Sequence, residues 1–271
     1  MRYLRKGFGR PLLLIHGLGG SHQSWEPILK SLTQDREVFA IDLPGFGNTP
    51  PLKGRTTVAT LADAVTDFLT EHHLLGTDVV GSSLGGRIAL ELARRRDSVG
   101  GVVALSPGGF WEGWEQLAFY SSLALSIRIV RGLKPLIPYI TDTATGRTLL
   151  FSQFSAHPRE LRPKFVRSEL QNFALSPAFD ETLREYAFGE IPKGIPAGAV
   201  EKPIVIGWGR QDRVCFPAQA KRAKHLFPDA RIHWFENCGH FPQWDAPAFT
   251  SKLILDTLGR KILHTVKKRV A

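Results

Sequence analysis

The sequence predicts an α/β fold in which a mostly parallel central sheet is flanked by helices and interrupted once by a block of helices. Three observations carry that prediction. Short runs rich in Val, Ile and Leu alternate with longer helical stretches, the rhythm of parallel strands joined by crossover helices. Several runs are apolar without a break, as strands covered on both faces are. The rhythm then stops between about 107 and 201, where no strand can be read.

In chain order, strands are expected at 12–16, 37–42, 78–81, 101–105, 204–208 and 231–235. Helices fit between them at about 25–33, 57–71, 84–95, 217–227 and 245–258; Pro217 suits a first helical position and Asp245 a helix start. The strandless stretch is helical at 114–132 and 159–174. Pro135, Pro138, Pro158, Pro163, Pro177, Pro192 and Pro196 punctuate it, and such residues open or end helices. An insertion of this kind sits over the carboxyl ends of the strands, the edge at which open α/β sheets bind ligands. The chain therefore divides into a core, 1–107 and 201–271, and a helical cap, 108–200.

With 271 residues the chain can bury a full core. An apolar fraction of 43% and a charged fraction of 22% describe an ordinary globular protein. No apolar run approaches the roughly 20 residues that span a bilayer. The apolar stretch behind Arg2, Arg5 and Lys6 is too short for a signal peptide, and a cytoplasmic location is expected. The net charge of +10 comes partly from Arg94-Arg95-Arg96, at a helix end that favours cations, and from Lys267-Lys268-Arg269 in the tail. No nucleic-acid-binding pattern accompanies it, so the charge reads as a basic surface. The two cysteines, Cys215 and Cys238, lack a partnering histidine motif and read as buried structural thiols in a reducing compartment. The expected partner is a small-molecule substrate, with no nucleic acid, membrane span, metal or other cofactor, and the chain is expected as a monomer or homodimer.

Four motifs carry chemistry. Gly81-Ser82-Ser83-Leu84-Gly85-Gly86 is G-x-S-x-G placed after a strand and before a helix. A nucleophile on so sharp a turn needs a strained backbone, and glycines at 81 and 85 relieve the crowding between strand and helix. The helix start also aims unpaired N–H groups and a positive dipole end at Ser83. His16-Gly17-Leu18-Gly19-Gly20 closes the first apolar run, and the N–H groups of Leu18 and Leu84 are assigned as an oxyanion hole. His16 itself is read as a brace for the turn.

Asn237-Cys238-Gly239-His240-Phe241-Pro242 supplies the general base, His240, in a loop at a strand carboxyl end. His22, His72, His73, His157, His225 and His264 lack a supporting motif. Asp212, in Trp208-Gly209-Arg210-Gln211-Asp212-Arg213-Val214, is the carboxylate that orients the histidine. Asp42 competes for that role from Asp42-Leu43-Pro44-Gly45-Phe46-Gly47 but precedes the nucleophile, and is read as the anchor of its own loop. Ser82, Phe110, Trp111 and Phe241 are candidate substrate-binding residues; Trp114, Phe119, Tyr120, Phe151 and Phe154 are further candidate pocket walls, most of them read as holding cap helices to the core.

Together these motifs resemble the α/β-hydrolase superfamily over nearly the whole chain. Within it they are similar to capped carboxylesterases, to the carbon–carbon bond hydrolases of aromatic degradation and to cofactor-free haloperoxidases. The resemblance implies a cap inserted after the sixth strand and acyl transfer to water. It also implies two strands before the His-Gly turn, whereas only fifteen residues precede His16, so one edge strand is expected to be missing or contributed otherwise. Carbon–carbon hydrolases carry tryptophan where this chain has Phe241, and prefer methionine where it has Leu84. Serine rather than aspartate at 83 argues against dehalogenase chemistry. The resulting expectation is an esterase acting on a small to medium apolar substrate, with carbon–carbon cleavage and a ligand-binding receptor as alternatives.

Overall fold

The computed structural model describes residues 1–95 and 98–259. Arg96, His264 and the basic cluster at 267–269 lie outside the described residues.

The sheet has seven strands in the order β1-β3-β2-β4-β5-β6-β7. These are β1 (Tyr3–Lys6), β2 (Pro11–Ile15), β3 (Glu37–Ile41), β4 (Asp78–Ser82), β5 (Val102–Leu105), β6 (Ile204–Gly209) and β7 (Arg231–Phe235). All neighbours run parallel except β1, which pairs antiparallel with β3 through Tyr3 to Ile41 and Lys6 to Val38. Residues 3–6 thus supply the edge strand expected to be missing. Its mostly exposed Tyr-Leu-Arg-Lys text has no apolar run to reveal it, as suits an edge guarded by charge. The helical insertion lies between β5 and β6, so it follows the fifth strand of this chain rather than the sixth.

Alternation along each strand splits the core in two. On β2, Leu13 and Ile15 join one apolar cluster while Leu12 and Leu14 join the other, all fully buried. Each such side chain contributes about 1.5–3 kcal/mol. The first layer is built on α2 (Val58–Glu71) and α3 (Leu84–Arg94), through Leu61, Val65 and Ile88. The second is built on α1 (Glu26–Leu32) and the C-terminal helix 247–258, through Ile28, Leu32, Ile254 and Leu258. Thr57 caps α2 reciprocally with Thr60.

Between β5 and β6 come α4 (Trp114–Gly132), α5 (Ile137–Asp142), α6 (Ala144–Phe151), α7 (Pro163–Leu175) and α8 (Phe179–Phe188). Phe119, Phe179 and Tyr186 pack into the first core layer. Val130, Phe151, Phe165 and Leu170 form a third cluster around Trp244. After β6, the described residues carry α9 (Gln219–Leu226), α10 (Pro242–Asp245) and α11 (Pro247–Leu258). Pro217 lies in a turn before α9 rather than at its first position, and Asp245 closes α10 rather than opening α11. Among the described residues no helix is long and apolar enough to cross a membrane.

Candidate active site

The carboxyl ends of β2, β4, β6 and β7 bring the four motifs to one edge of the sheet. Ser83 is the first residue past β4 and the last before α3, with φ 53° and ψ −115°. A non-glycine residue in that region is strained by about 1–3 kcal/mol and persists only where its surroundings enforce it. Here they do. A Cβ on Gly81 would stand 2.0 Å from the Gly85 carbonyl oxygen, and one on Gly85 would stand 2.1 Å from that of Ile15. Only glycines let the turn close that tightly.

The His16–Gly20 turn lies directly on this elbow, because a Cβ on Gly17 would be 3.2 Å from Ser83 Cβ. The N–H groups of Leu18, in that turn, and of Leu84, at the first position of α3, donate to no carbonyl among the described residues. Both ring nitrogens of His16 are engaged by the backbone. Its Nε2 accepts from the Leu43 N–H at 3.0 Å, which places the ring hydrogen on Nδ1, 2.7 Å from the Gly17 carbonyl. Burial drops its pKa to about 4, so it remains a neutral brace.

Asp212 and His240, in the loops that follow β6 and β7, meet with Nδ1 2.9 Å from Oδ2 and both side chains withdrawn from solvent. The Val214 and Cys215 N–H groups each donate to Asp212 Oδ1 at 2.9 Å and hold the carboxylate in place. Asp42 is occupied elsewhere: it accepts from the His22 N–H, the His22 ring and the Asn48 N–H, at 2.7, 2.8 and 2.9 Å. It anchors its own loop. Both cysteines are unpaired and buried, and burial raises Cys238 to about 12 and Cys215 well above the usual thiol range, which keeps both as neutral thiols.

A family model for the alpha/beta hydrolase fold matches residues 10–247. The chain belongs to this family. Among its relatives is the dihydrolipoyllysine-residue acetyltransferase component of the acetoin cleaving system of Cupriavidus necator, 30% identical over 96% of this chain and 66% of that protein. The chain thus spans just under two thirds of that relative. A 2-hydroxymuconate semialdehyde hydrolase of Pseudomonas putida is 28% identical over 88% of this chain and 83% of its own. An enol-lactonase from Burkholderia xenovorans shares the fold at a TM-score of 0.76 and 19% identity, covering 95% of each chain. A thermophilic esterase from Thermogutta terrifontis does so at 0.71 and 20%, covering 94% of this chain and 91% of that one.

Within this hydrolase several residues at the site were not legible in the motifs. Tyr186 on α8 comes close to the Ser83 side chain, and among the described residues no hydrogen bond joins Ser83 to His240. Tyr186 in turn accepts from the Gly108 N–H at 2.8 Å. Burial holds its phenol protonated far above the ordinary range. Asp245 ties the insertion to the histidine loop: it accepts from the Gly239 and Ala156 N–H groups at 2.7 and 2.8 Å and from the Ser155 hydroxyl. The His240 N–H donates to the Phe154 carbonyl at 2.9 Å.

A cavity of about 50 Å³ opens beside Gly17 and Leu18, walled by Phe154, Phe173, Phe241 and Trp244 and by Glu169 and Gln243. Phe241 is thus at the cavity, and Ser82 reaches it by accepting from the Gln243 amide at 3.0 Å. Phe110 and Trp111 are not part of its wall. They line an open groove with Pro217 and Trp234, Phe110 packing on Phe227 and Trp111 stacking on Phe119. Trp111 also meets the Tyr186 ring, at a centroid separation of 5.6 Å. Both aromatic rings are recruited to hold the insertion on the core, which a sequence cannot separate from pocket lining.

Proposed function

We propose that this hydrolase cleaves carboxylic esters of small acyl groups through an acyl-enzyme intermediate. The observation that carries the reading is the strained Ser83 elbow at the same sheet edge as a buried Asp212–His240 pair. Ser83 attacks the carbonyl carbon while His240 Nε2 takes its proton, with Asp212 holding the ring so that Nδ1 carries the other hydrogen. The developing oxyanion is met by the N–H groups of Leu18 and Leu84, each worth about 3–4 kcal/mol in the transition state. His240 then protonates the leaving alcohol and activates the water that frees the acid. Residues 108–200 act as a cap, whose Tyr186 positions Ser83 and whose aromatic rings close the cavity. Two unpaired buried thiols fit a reducing, cytoplasmic setting.

Labelling with a fluorophosphonate and turnover of a chromogenic ester panel test this reading. Ser83→Ala is expected to abolish labelling and to lower kcat by about 10⁶, as for other serine triads. Near wild-type ester turnover by that variant would overturn it, and labelling without turnover would favour a ligand-binding role. The 28% identical 2-hydroxymuconate semialdehyde hydrolase supports carbon–carbon cleavage as a second reading, decided by turnover of a dienoate ring-fission product.

A further inference from the structure

Glu169 stands out among the buried polar groups that the triad does not use. It sits on α7, fully buried, in the wall of the cavity beside the Leu18 turn. Its Oε2 accepts from the Ser24 hydroxyl at 2.8 Å, and Ser24 Oγ in turn accepts from the Ser21 N–H at 3.3 Å. Glu169 Oε1 is buried and meets no protein partner. No arginine or lysine pairs with this carboxyl among the described residues, and burial pushes its pKa up to about 8. With Oε2 serving as acceptor, the neutral acid carries its hydrogen on Oε1, the oxygen left without a partner.

A second unpartnered group lines the same cavity. Gln243 gives its amide N–H to Ser82 Oγ at 3.0 Å, and its Oε1 is buried without a donor. The remaining wall is largely aromatic and aliphatic, including Phe151, Phe154, Phe173, Leu170 and Trp244. The cavity thus presents one O–H donor and one carbonyl acceptor in otherwise apolar surroundings. Leaving both unpaired is costly, and a ligand group that both accepts and donates has the chemistry that each of them lacks. An alcohol has that chemistry; a methyl group satisfies neither, and a carboxylate offers nothing to Gln243. The volume of about 50 Å³ is a third of the roughly 150 Å³ that holds a benzene ring, so the occupant is short.

We infer that Glu169 and Gln243 form a specificity site for an uncharged hydroxyl on a short acyl chain, making hydroxyacyl esters the preferred substrates. The inference rests on Ser83 being the nucleophile of an ester hydrolase. Both residues position substrate and take no part in bond making.

The test compares isosteric methyl esters on the intact protein: methyl 3-hydroxybutanoate against methyl 3-methylbutanoate, and methyl 4-hydroxybutanoate against methyl pentanoate. In at least one pair kcat/KM is expected to favour the hydroxyl by about tenfold or more, since a site built for a hydroxyl rejects the analogue lacking it. Glu169→Leu is expected to collapse that ratio towards one, whereas Glu169→Gln, which can still accept from Ser24 and donate to substrate, retains most of it. Equal rates within both pairs, or a ratio unchanged in Glu169→Leu, would overturn the inference and show a site filled by water alone. A preference for methyl 3-aminobutanoate that Glu169→Gln removes would also overturn it, in favour of an ionised carboxylate binding ammonium. Ligand-detected NMR titration of the Ser83→Ala protein with the same pairs separates the two levels. Selective binding of the hydroxy ester by Ser83→Ala, together with a wild-type protein that neither labels nor turns over any ester, would retire the hydrolase reading and keep the hydroxyl site. Ester turnover without hydroxyl selectivity in rate or binding would do the reverse.

Discussion

At Asp212 and His240 a buried pair 2.9 Å apart decides which ring nitrogen carries hydrogen. An asparagine at 212 keeps an oxygen for the Val214 and Cys215 N–H groups but turns an amide N–H towards Nδ1. The ring hydrogen then moves to Nε2, the nitrogen that must accept the Ser83 proton. Asp212→Asn is expected to lower kcat on an activated ester by about 10⁴ with an unchanged melting temperature, read by steady-state kinetics and thermal unfolding. Glu169 makes a different prediction. Its folded pKa of about 8 lies above an ordinary 4.5, so the unfolded chain releases this proton first as pH rises. The stability that Glu169 contributes is therefore complete below about pH 4.5 and is lost as pH rises through about 8. Urea unfolding from pH 5 to 9 is expected to show wild type losing stability relative to Glu169→Gln across that window. A difference that stays flat with pH would contradict the assignment of a neutral carboxyl.

At the scale of elements, the site depends on how closely two turns approach. The elbow between β4 and α3 packs on the turn after β2, and the contact is backbone to backbone. In Gly85→Ala the new methyl would stand 2.1 Å from the Ile15 carbonyl oxygen and 2.6 Å from that of His16, neither of which can swing aside. The substitution is expected to cost at the upper end of the about 1–3 kcal/mol typical of overpacking, seen as a lowered melting temperature. Its activity loss should persist at temperatures where the variant is folded, because Ser83 moves off the Leu18 and Leu84 donors. The G-x-S-x-G motif was readable for the same reason: steric need for glycine at two positions leaves a mark in the text. Tyr186, Glu169 and Asp245 leave none. A tyrosine or glutamate on an amphipathic helix reads as packing or surface, and which cavity it meets depends on how α7 and α8 dock.

Over the whole molecule, the edge of the sheet opposite the site is held by Arg36. Its guanidinium donates to Asp78 Oδ2 at 2.8 Å and to the carbonyls of Arg10, Pro11, Leu258 and Gly259 at 2.9, 2.7, 3.1 and 3.2 Å. It ties the start of β2 and of β4 to the end of α11. Arg36→Met leaves the buried Asp78 charge with the exposed Arg10, at 3.1 Å, and the Gly101 N–H, at 2.9 Å, as its remaining partners. A loss of about 3–5 kcal/mol in urea unfolding is expected. Because Asp78 begins β4 and Ser83 follows its end, kcat should hold wherever the variant is folded. Stability and chemistry thus sit at opposite ends of the same strands.

What the sequence determined by itself was whatever local sterics and periodicity demand. Unbroken apolar runs have no stable place except between two helical layers, so the parallel strands were legible. The glycines at 81 and 85 and the strand-end positions of Asp212 and His240 follow from the same local constraints. The edge strand at 3–6 was not legible, since four residues with two charges carry no hydrophobic signal until β3 offers them a ladder. Nor was the pocket. Phe110 and Trp111 face an open groove while Glu169 and Gln243 face the cavity, because side-chain destinations in the insertion are set by the docking of helices distant in sequence. Only tertiary packing could bury a lone carboxyl beside an aromatic wall and leave its oxygen to meet a substrate.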